Sequence, residues 1–277
     1  MAASLSELPS IAEIEASTDL LSDPCRSVKV VRVRERFAVK VGLTIAPLEA
    51  ENRKFVAANT NILVPKVHAD FIDPDTRKRY IIMDHLPGTD LEKLAPSLSE
   101  AQKKTVGKRI REALDEVRRI PSPGYLGNLN RMPYYEGVLS TLDNDPRISG
   151  PFENEDQFNK GLLKALGQRE SPHYVRLLTA PIQHTLSGHK TVFVHGDLQP
   201  KNVIVEQHGA CEDGSPDYRI TLIDWSMAGW YPEYWDYCNS TVYCQARPAW
   251  LELVPHIFDE YPLEYLMMRI FYTSMFY

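Results

Sequence analysis

Residues 28–41, VKVVRVRERFAVKV, alternate apolar and basic positions on either side of Arg34-Glu35. That is the period-2 pattern of two half-buried strands joined as a hairpin. The texture then turns helical over 47–60, with a proline near the first turn, Glu49 and Glu51 early, and Leu48, Phe55 and Val56 along one side. Val64-Pro65 closes that stretch. Short strands are predicted over 66–72 and 79–83, parted by Asp73-Pro74-Asp75, and Asp84-His85-Leu86-Pro87-Gly88 reads as a punctuated connector.

Beyond the connector helices dominate. Ser99 and Gln102 can cap a helix running to about Arg119, with Val106, Ile110, Leu114 and Val117 at helical spacing. Further helices are expected over 156–166 and 172–186. The later strand signals are confined to 191–195, 202–206 and 219–223, and the tail from Tyr234 is mainly helical with interruptions at Pro248, Pro255 and Pro262. The expected organisation is therefore a strand-rich unit with one main helix (1–83), a connector (84–89) and a larger helical unit (90–277).

Composition narrows the class. The 277 residues are 43% hydrophobic and 25% charged, as in ordinary globular domains. No run approaches the ~18 apolar residues of a membrane span, and MAASLSELPSIAEIEAS lacks the basic flank and apolar core of a secretory signal. Cys25, Cys211, Cys238 and Cys244 form no CxxC pair, so neither a disulfide framework nor a structural zinc site is expected. The chain reads as a soluble cytoplasmic protein, with no membrane partner. Its net charge of −6 is uneven: residues 121–277 carry 11 basic against 19 acidic side chains and most of the aromatics. That balance disfavours nucleic acid, whose phosphates need a basic footprint. It suits a neutral or cationic small molecule, or reflects a larger core and its surface.

The strongest local signal is Val194-His195-Gly196-Asp197-Leu198-Gln199-Pro200-Lys201-Asn202-Val203-Ile204-Val205, followed by Leu222-Ile223-Asp224-Trp225. If 202–206 and 219–223 pair as a hairpin across the polar loop 207–218, Asn202 opens one strand where Asp224 closes its partner. An amide oxygen and a carboxylate then meet at the open end. Such oxygens suit Mg²⁺, which takes few protein ligands and completes its shell with phosphate and water. Asp197, five residues before Asn202, could orient and deprotonate a hydroxyl.

This HGDxxxxN…IDW arrangement resembles the aminoglycoside phosphotransferase family, kinase-like small-molecule phosphotransferases, and is most similar to its fungal subgroup. The resemblance covers nearly the whole chain. Phe37-Ala38-Val39-Lys40 looks like the family's third-strand lysine motif, FVAANTNILVPKV (55–67) like its helix end and the run before the next strand, and YIIMDHLPG (80–88) like its adenine-holding strand and hinge. GWYPEYWDY (229–237) closes the pattern.

The resemblance implies an α+β, bilobal protein-kinase-like fold and an ATP- and Mg²⁺-dependent transfer to a small-molecule hydroxyl. Lys40 would hold the α- and β-phosphates, kept extended by Glu49 or by Glu51, only one of which can face it. The Asp84 carbonyl and Leu86 amide would meet the adenine edge, with Met83 behind the ring. Asp197 would be the base, and Asn202 and Asp224 the metal ligands. His195 is expected to support the loop and Asp236 to brace it from a helix. Lys201 stands near enough to meet a phosphate.

One departure is plain: no glycine precedes Lys40, so the glycine-rich phosphate loop is missing. Backbone amides at 21–23 or at the 34–36 turn are the possible substitutes. The acceptor would lie against 121–187 and 225–277. Acids there (Asp143, Asp145, Glu153, Glu155, Asp156, Glu233) suit amines, and aromatics (Tyr134, Tyr135, Trp225, Trp230, Tyr231, Trp235) suit a flat metabolite; either set can also be surface and core. A second reading is a silent or repurposed binding protein using the same cleft, since fold alone does not establish activity. A peptide acceptor is not expected, because HGD and IDW stand in place of the HRD and DFG of protein kinases and no APE-like segment follows Asp224.

Overall fold

In the computed structural model, which describes residues 8–135, 137–210 and 214–276, the amino-terminal part is a four-stranded antiparallel sheet. β1 (Lys29–Val33) and β2 (Phe37–Gly42) form the expected hairpin, turning through Arg34 and Glu35 at φ of 50° and 58°. With β3 (Val67–Ile72) and β4 (Arg79–Asp84) the order is β1-β2-β4-β3. Alternation sorts the side chains. Val31, Val33, Phe37, Val39, Val41, Tyr80 and Ile82 cluster with Ile14 of α1 (Ile11–Ala16), a short helix closed by a Ser10–Glu13 capping box. Lys40, Ile81 and Met83 face the other way, toward α2 (Glu49–Asn59). β4 runs one residue further than expected because Asp84 still pairs with Phe37.

The buried side of α2 differs from the expected one. Its buried residues are Glu49, Ala50, Asn52, Arg53 and Val56. The i, i+3, i+4, i+7 positions of an inward face are therefore mostly polar, and Phe55 is only partly buried. A helix whose inward face is charged must find its partners inside, and the site described below supplies them.

After a two-residue strand, β5 (Thr89–Asp90), the chain becomes largely helical. α3 (Glu100–Arg118) carries the expected Ser99–Gln102 capping box and buries Val106, Ile110, Leu114 and Val117. Each such large apolar side chain stabilises the fold by about 1.5–3 kcal/mol relative to leaving it in water. α4 (Glu155–Leu166) and α5 (Pro172–Thr185) follow. Then come β6 (Thr191–Val194), β7 (Val203–Ala210), β8 (Pro216–Leu222) and β9 (Gly229–Pro232). The carboxyl-terminal part holds α6 (Trp235–Tyr243), single turns at Pro248–Leu251 and Val254–Ile257, and α7 (Pro262–Phe276), broken near the prolines as expected.

β9 was not anticipated. It pairs antiparallel with β6, Phe193 opposite Trp230 and Val192 opposite Tyr231, so large aromatic side chains enter both cores of the helical part. α2 is tied to that part as well, with Phe55 lying 5.0 Å from Phe193 between ring centroids. Among the described residues no helix is long and apolar enough to cross a membrane. Cys25, Cys238 and Cys244 are free thiols, and Cys211 lies outside the described residues.

Candidate active site

The functional side chains come from three places: β2 and α2, the loop between β6 and β7, and the turn after β8. Lys40 projects from β2 with its ammonium 2.8 Å from Glu49 Oε2 and 2.8 Å from Asp224 Oδ1. Glu49 is the glutamate that reaches it; Glu51 points outward beside Lys54 at 3.5 Å. The other Glu49 oxygen, Oε1, accepts from Arg53 Nη2 at 3.1 Å, and Arg53 Nη1 meets Met83 Sδ at 2.9 Å. Two carboxylates and two cations thus form one compact network, with Arg53 and Glu49 buried. Burial disfavours the charged form of Lys40, but the two carboxylates outweigh it and raise its pKa. Burial likewise opposes ionisation of Asp224, yet the Lys40 ammonium beside it pulls that carboxyl down to about 2.

Asp224 adopts φ 61°, ψ 65°, a left-handed conformation rare for a residue with a side chain. Such strain costs on the order of 1–3 kcal/mol and persists only where surrounding contacts impose it. Here they do: Ile223 N donates to Asn202 O at 3.0 Å, and His195 Nε2 donates to Ile223 O at 2.8 Å. Val203 stands opposite Leu222, so the open end of the β7–β8 hairpin does bring Asn202 and Asp224 together, as its register predicts.

The catalytic-loop candidate is held from below. Asp236 on α6 is fully buried; its Oδ1 accepts from Gly196 N at 2.9 Å and its Oδ2 from His195 N at 3.2 Å. Asn239 Nδ2 donates to Gly196 O at 3.1 Å. Gly196 has φ +81°, and a Cβ there would lie 2.1 Å from Met227 O, so only glycine fits. Asp197 N donates to His195 Nδ1 at 3.3 Å, which with the Ile223 bond fixes the orientation of the ring. The Asp197 carboxylate accepts at Oδ1 from Gln199 Nε2 and at Oδ2 from Asn202 Nδ2 at 3.1 Å. Asn202 Nδ2 also bonds Asp197 O at 2.8 Å. With its nitrogen so committed, the Asn202 amide oxygen is the atom of that side chain that could hold a cation.

Among the described residues no group of three or more His, Cys, Asp or Glu side chains could hold a metal ion. A carboxylate plus an amide oxygen fits Mg²⁺, which is commonly held by one or two carboxylates with phosphates and water supplying the rest.

Asn52 couples α2 to this centre. Buried, it donates through Nδ2 to Trp225 O at 3.0 Å and Ala228 O at 3.1 Å, spanning the turn that follows Asp224. Asn52→Ala strands the Ala228 carbonyl and leaves Trp225 O only the 3.3 Å bond from Ala228 N, and is expected to cost about 1–3 kcal/mol, read as a fall in the urea midpoint at unchanged m-value. An unchanged midpoint would show that the tether carries no stability.

At the connector, the Asp84 carboxylate is engaged by His68 Nε2 at 2.5 Å, Asp84 N by Lys66 O at 3.0 Å, and His85 N by Arg36 O at 2.8 Å. The 34–36 turn therefore abuts the connector, at the far end of β2 from Lys40. Of the two candidate substitutes for a phosphate loop, the segment around 21–23 is the one on the Lys40 side. Leu20 bridges to Val31, Leu21 N donates to Val30 O, and 22–28 arches back to β1 beside Gly42, whose Cβ would meet Val28.

The acids and aromatics marked for the acceptor are mostly occupied elsewhere. Asp145 pairs with Arg147, Glu153 with Arg131, Glu155 with His189 and Asp156 with Lys160, while Glu233 accepts from Lys190 N. Tyr134, Trp225, Trp230, Tyr231 and Trp235 are core. What lies beside Asp197 instead is Gln199, whose Oε1 accepts from Arg247 Nη1 at 3.1 Å, with Arg247 in turn 3.1 Å from Glu92. Gln199 stands inside the motif, but nothing in the sequence marks Arg247 or Glu92.

Residues 29–262 match the model of the phosphotransferase enzyme family, APH. No curated protein matches the sequence. Among solved structures, a thermostable mutant of aminoglycoside phosphotransferase APH(4)-Ia in ternary complex with AMP-PNP and hygromycin B aligns at TM-score 0.60 and 16% identity, over 94% of this chain and 86% of that one. The GDP and kanamycin complex of APH(2")-IIia aligns at TM-score 0.57 and 12% identity, over 92% and 83%. At these identities the likeness is one of fold: a small sheet-based lobe and a mainly helical one.

Proposed function

The chain belongs to the phosphotransferase enzyme family, and on that premise we propose that it transfers the γ-phosphoryl group of ATP, with Mg²⁺, to a hydroxyl of a small molecule. The observation that carries the proposal is the junction at Lys40, bonded at 2.8 Å to both Glu49 and Asp224, with Asn202 and Asp197 on the adjoining loop. A strained acid, a half-buried lysine and an amide side chain converge there from sequence positions far apart. The nucleotide complexes of the solved neighbours, with AMP-PNP in one and GDP in another, support a nucleotide in this cleft.

In this reading 1–83 and 90–277 form two lobes that meet across the connector 84–89. Lys40 holds the α- and β-phosphates, and Glu49, itself anchored by Arg53, keeps the ammonium extended. Asp224 and Asn202 hold Mg²⁺, which neutralises phosphate charge when bound. The Asp84 carbonyl and Leu86 amide face the adenine edge, with Met83 behind the ring. Asp197 orients the acceptor hydroxyl and takes its proton. Transfer passes through a loose transition state, so its main contribution is position. The proposal extends to the acceptor as a hydroxylated compound, a fungal secondary metabolite or an aminoglycoside-like molecule; the hygromycin B complex of a solved neighbour supports a small-molecule acceptor of this class.

Calorimetric titration of ATP, with and without Mg²⁺, into wild type and Asp224→Ala tests it. Mg²⁺-dependent binding that weakens at least tenfold in the variant is the expected result. No binding to wild type would overturn it in favour of a repurposed cleft.

A further inference from the structure

A carboxylate that positions a hydroxyl must itself be held at one angle, because small misplacements of a reacting group are costly in rate. Both oxygens of Asp197 are engaged: Oδ2 accepts from Asn202 Nδ2 at 3.1 Å and Oδ1 from Gln199 Nε2. Asn202 is fixed by a second bond to Asp197 O. Gln199 is half-buried and has no such second bond to the loop. A glutamine amide carries a donor end and an acceptor end of nearly the same shape. Held at one end only, its long side chain is free to swing toward water.

The other end is held by Arg247, whose Nη1 donates to Gln199 Oε1 at 3.1 Å. A guanidinium only donates and an ionised carboxylate only accepts, so both neighbours demand the same sense of the amide. Arg247 is anchored in turn. Its Nη2 pairs with Glu92 Oε1 at 3.1 Å, and its Nη1 also meets Cys244 Sγ at 3.4 Å. The backbone is pinned on both sides: Arg247 N donates to Cys244 O at 2.8 Å, and Trp250 N donates to Arg247 O at 3.0 Å. The Arg247 and Glu92 side chains are 37% and 44% exposed, and a pair so open to water adds little to stability. Its consequence lies in what it orients.

We propose that Arg247 is a positioning residue for phosphoryl transfer, acting through Gln199, which it holds onto the Asp197 carboxylate. The consequence for the reaction rests on the phosphotransferase reading above; the bridge itself does not. Glu92, Arg247, Gln199 and Asp197 alternate acceptor and donor at every contact, so loosening one link frees the carboxylate at the end. Among the described residues Arg247 makes no bond to Lys40, Glu49, Asn202 or Asp224, and nucleotide affinity should not depend on it.

Two measurements test this on wild type, Arg247→Met, Arg247→Lys, Gln199→Met and the Gln199→Met/Arg247→Met double variant. The first is the NMR signal of the Gln199 side-chain amide, identified by its loss in Gln199→Met. In wild type it should stand apart from ordinary glutamine amides and exchange slowly with water. In Arg247→Met it should move to the free-amide position, and Arg247→Lys should restore it. The second is ATP hydrolysis with Mg²⁺, in which water takes the acceptor's place. The bond from the γ-phosphorus to the bridging oxygen of ADP breaks, a bond to the water oxygen forms, and the water proton passes to Asp197. Arg247→Met should lower kcat about tenfold, a part of what a positioned base supplies, with KM for ATP within twofold. Arg247→Lys should recover most of that loss. The double variant should lose no more than Gln199→Met alone, because residues acting through one another are not additive. An amide signal unchanged in Arg247→Met overturns the proposal, as do losses that multiply in the double variant or that fall on KM instead of kcat. A wild type that releases no ADP counts against the phosphotransferase reading and not against the bridge, which the amide signal still decides without nucleotide.

Discussion

Asp197→Ala is expected to lower phosphoryl transfer by about 10²–10⁴-fold, the usual contribution of a positioned acid–base group, while changing ATP affinity less than twofold. The separation follows from the wiring of the loop. Asn202 bonds the backbone carbonyl of residue 197 as well as its carboxylate, and Asp236 holds the two preceding N–H groups, so the loop keeps its shape without the side chain. The nucleotide-side residues Lys40, Glu49 and Asp224 make no bond to the Asp197 carboxylate and should be undisturbed. ADP release by a coupled assay, beside ATP titration on the same preparations, gives both numbers. Wild-type turnover in the variant would remove Asp197 from the mechanism. Parallel losses in turnover and ATP affinity would mean that it acts on the nucleotide and not on the acceptor.

What the sequence made legible was local. The β1–β2 hairpin, the Ser99–Gln102 cap and the pairing of β7 with β8 rest on period-2 or helical patterns and on side chains a few residues apart. The meeting of Asn202 with Asp224 followed, because register at the open end of a hairpin fixes which residues become neighbours. The inward face of α2 was misjudged for the opposite reason. Apolar periodicity selects Leu48, Phe55 and Val56; Val56 is buried as expected, but beside it the helix buries Glu49, Asn52 and Arg53 because the cleft supplies Lys40, the carbonyls of Trp225 and Ala228, and the sulfur of Met83 as partners. Local rules tend to fail at sites of this kind.

The surroundings of Asp197 were hidden by distance along the chain. Glu92, Gln199 and Arg247 come from three separate segments, and their link exists only in the folded molecule. The acids weighed for the acceptor, or as plain surface, are engaged by Arg147, Arg131, His189 and Lys160 and by the Lys190 N–H. β9 escaped notice because GWYP carries no alternation, although its aromatic side chains fill the cores on both sides.

Asp236→Ala is expected to be the most destabilising single change outside the apolar core. The carboxylate is fully buried and accepts two backbone N–H groups, so removing it leaves both donors without a partner, at about 1–3 kcal/mol each. Relief by movement is blocked. Gly196 is wedged against Met227 O, and its own carbonyl is held by Asn239, so the loop cannot turn its N–H groups toward water without breaking further bonds. The melting temperature should fall on the order of 10 °C. Asp236→Asn should lose less, since its amide oxygen still satisfies one donor while its NH₂ faces the other. Function should follow stability here, because His195 and Gly196 lead directly into Asp197. In whatever fraction stays folded, turnover should drop more than ATP affinity, which depends on residues across the cleft. A melting temperature equal to wild type would mean that the two N–H groups find water or another acceptor, and that the bracing of the loop lies in Asn239 and His195 instead.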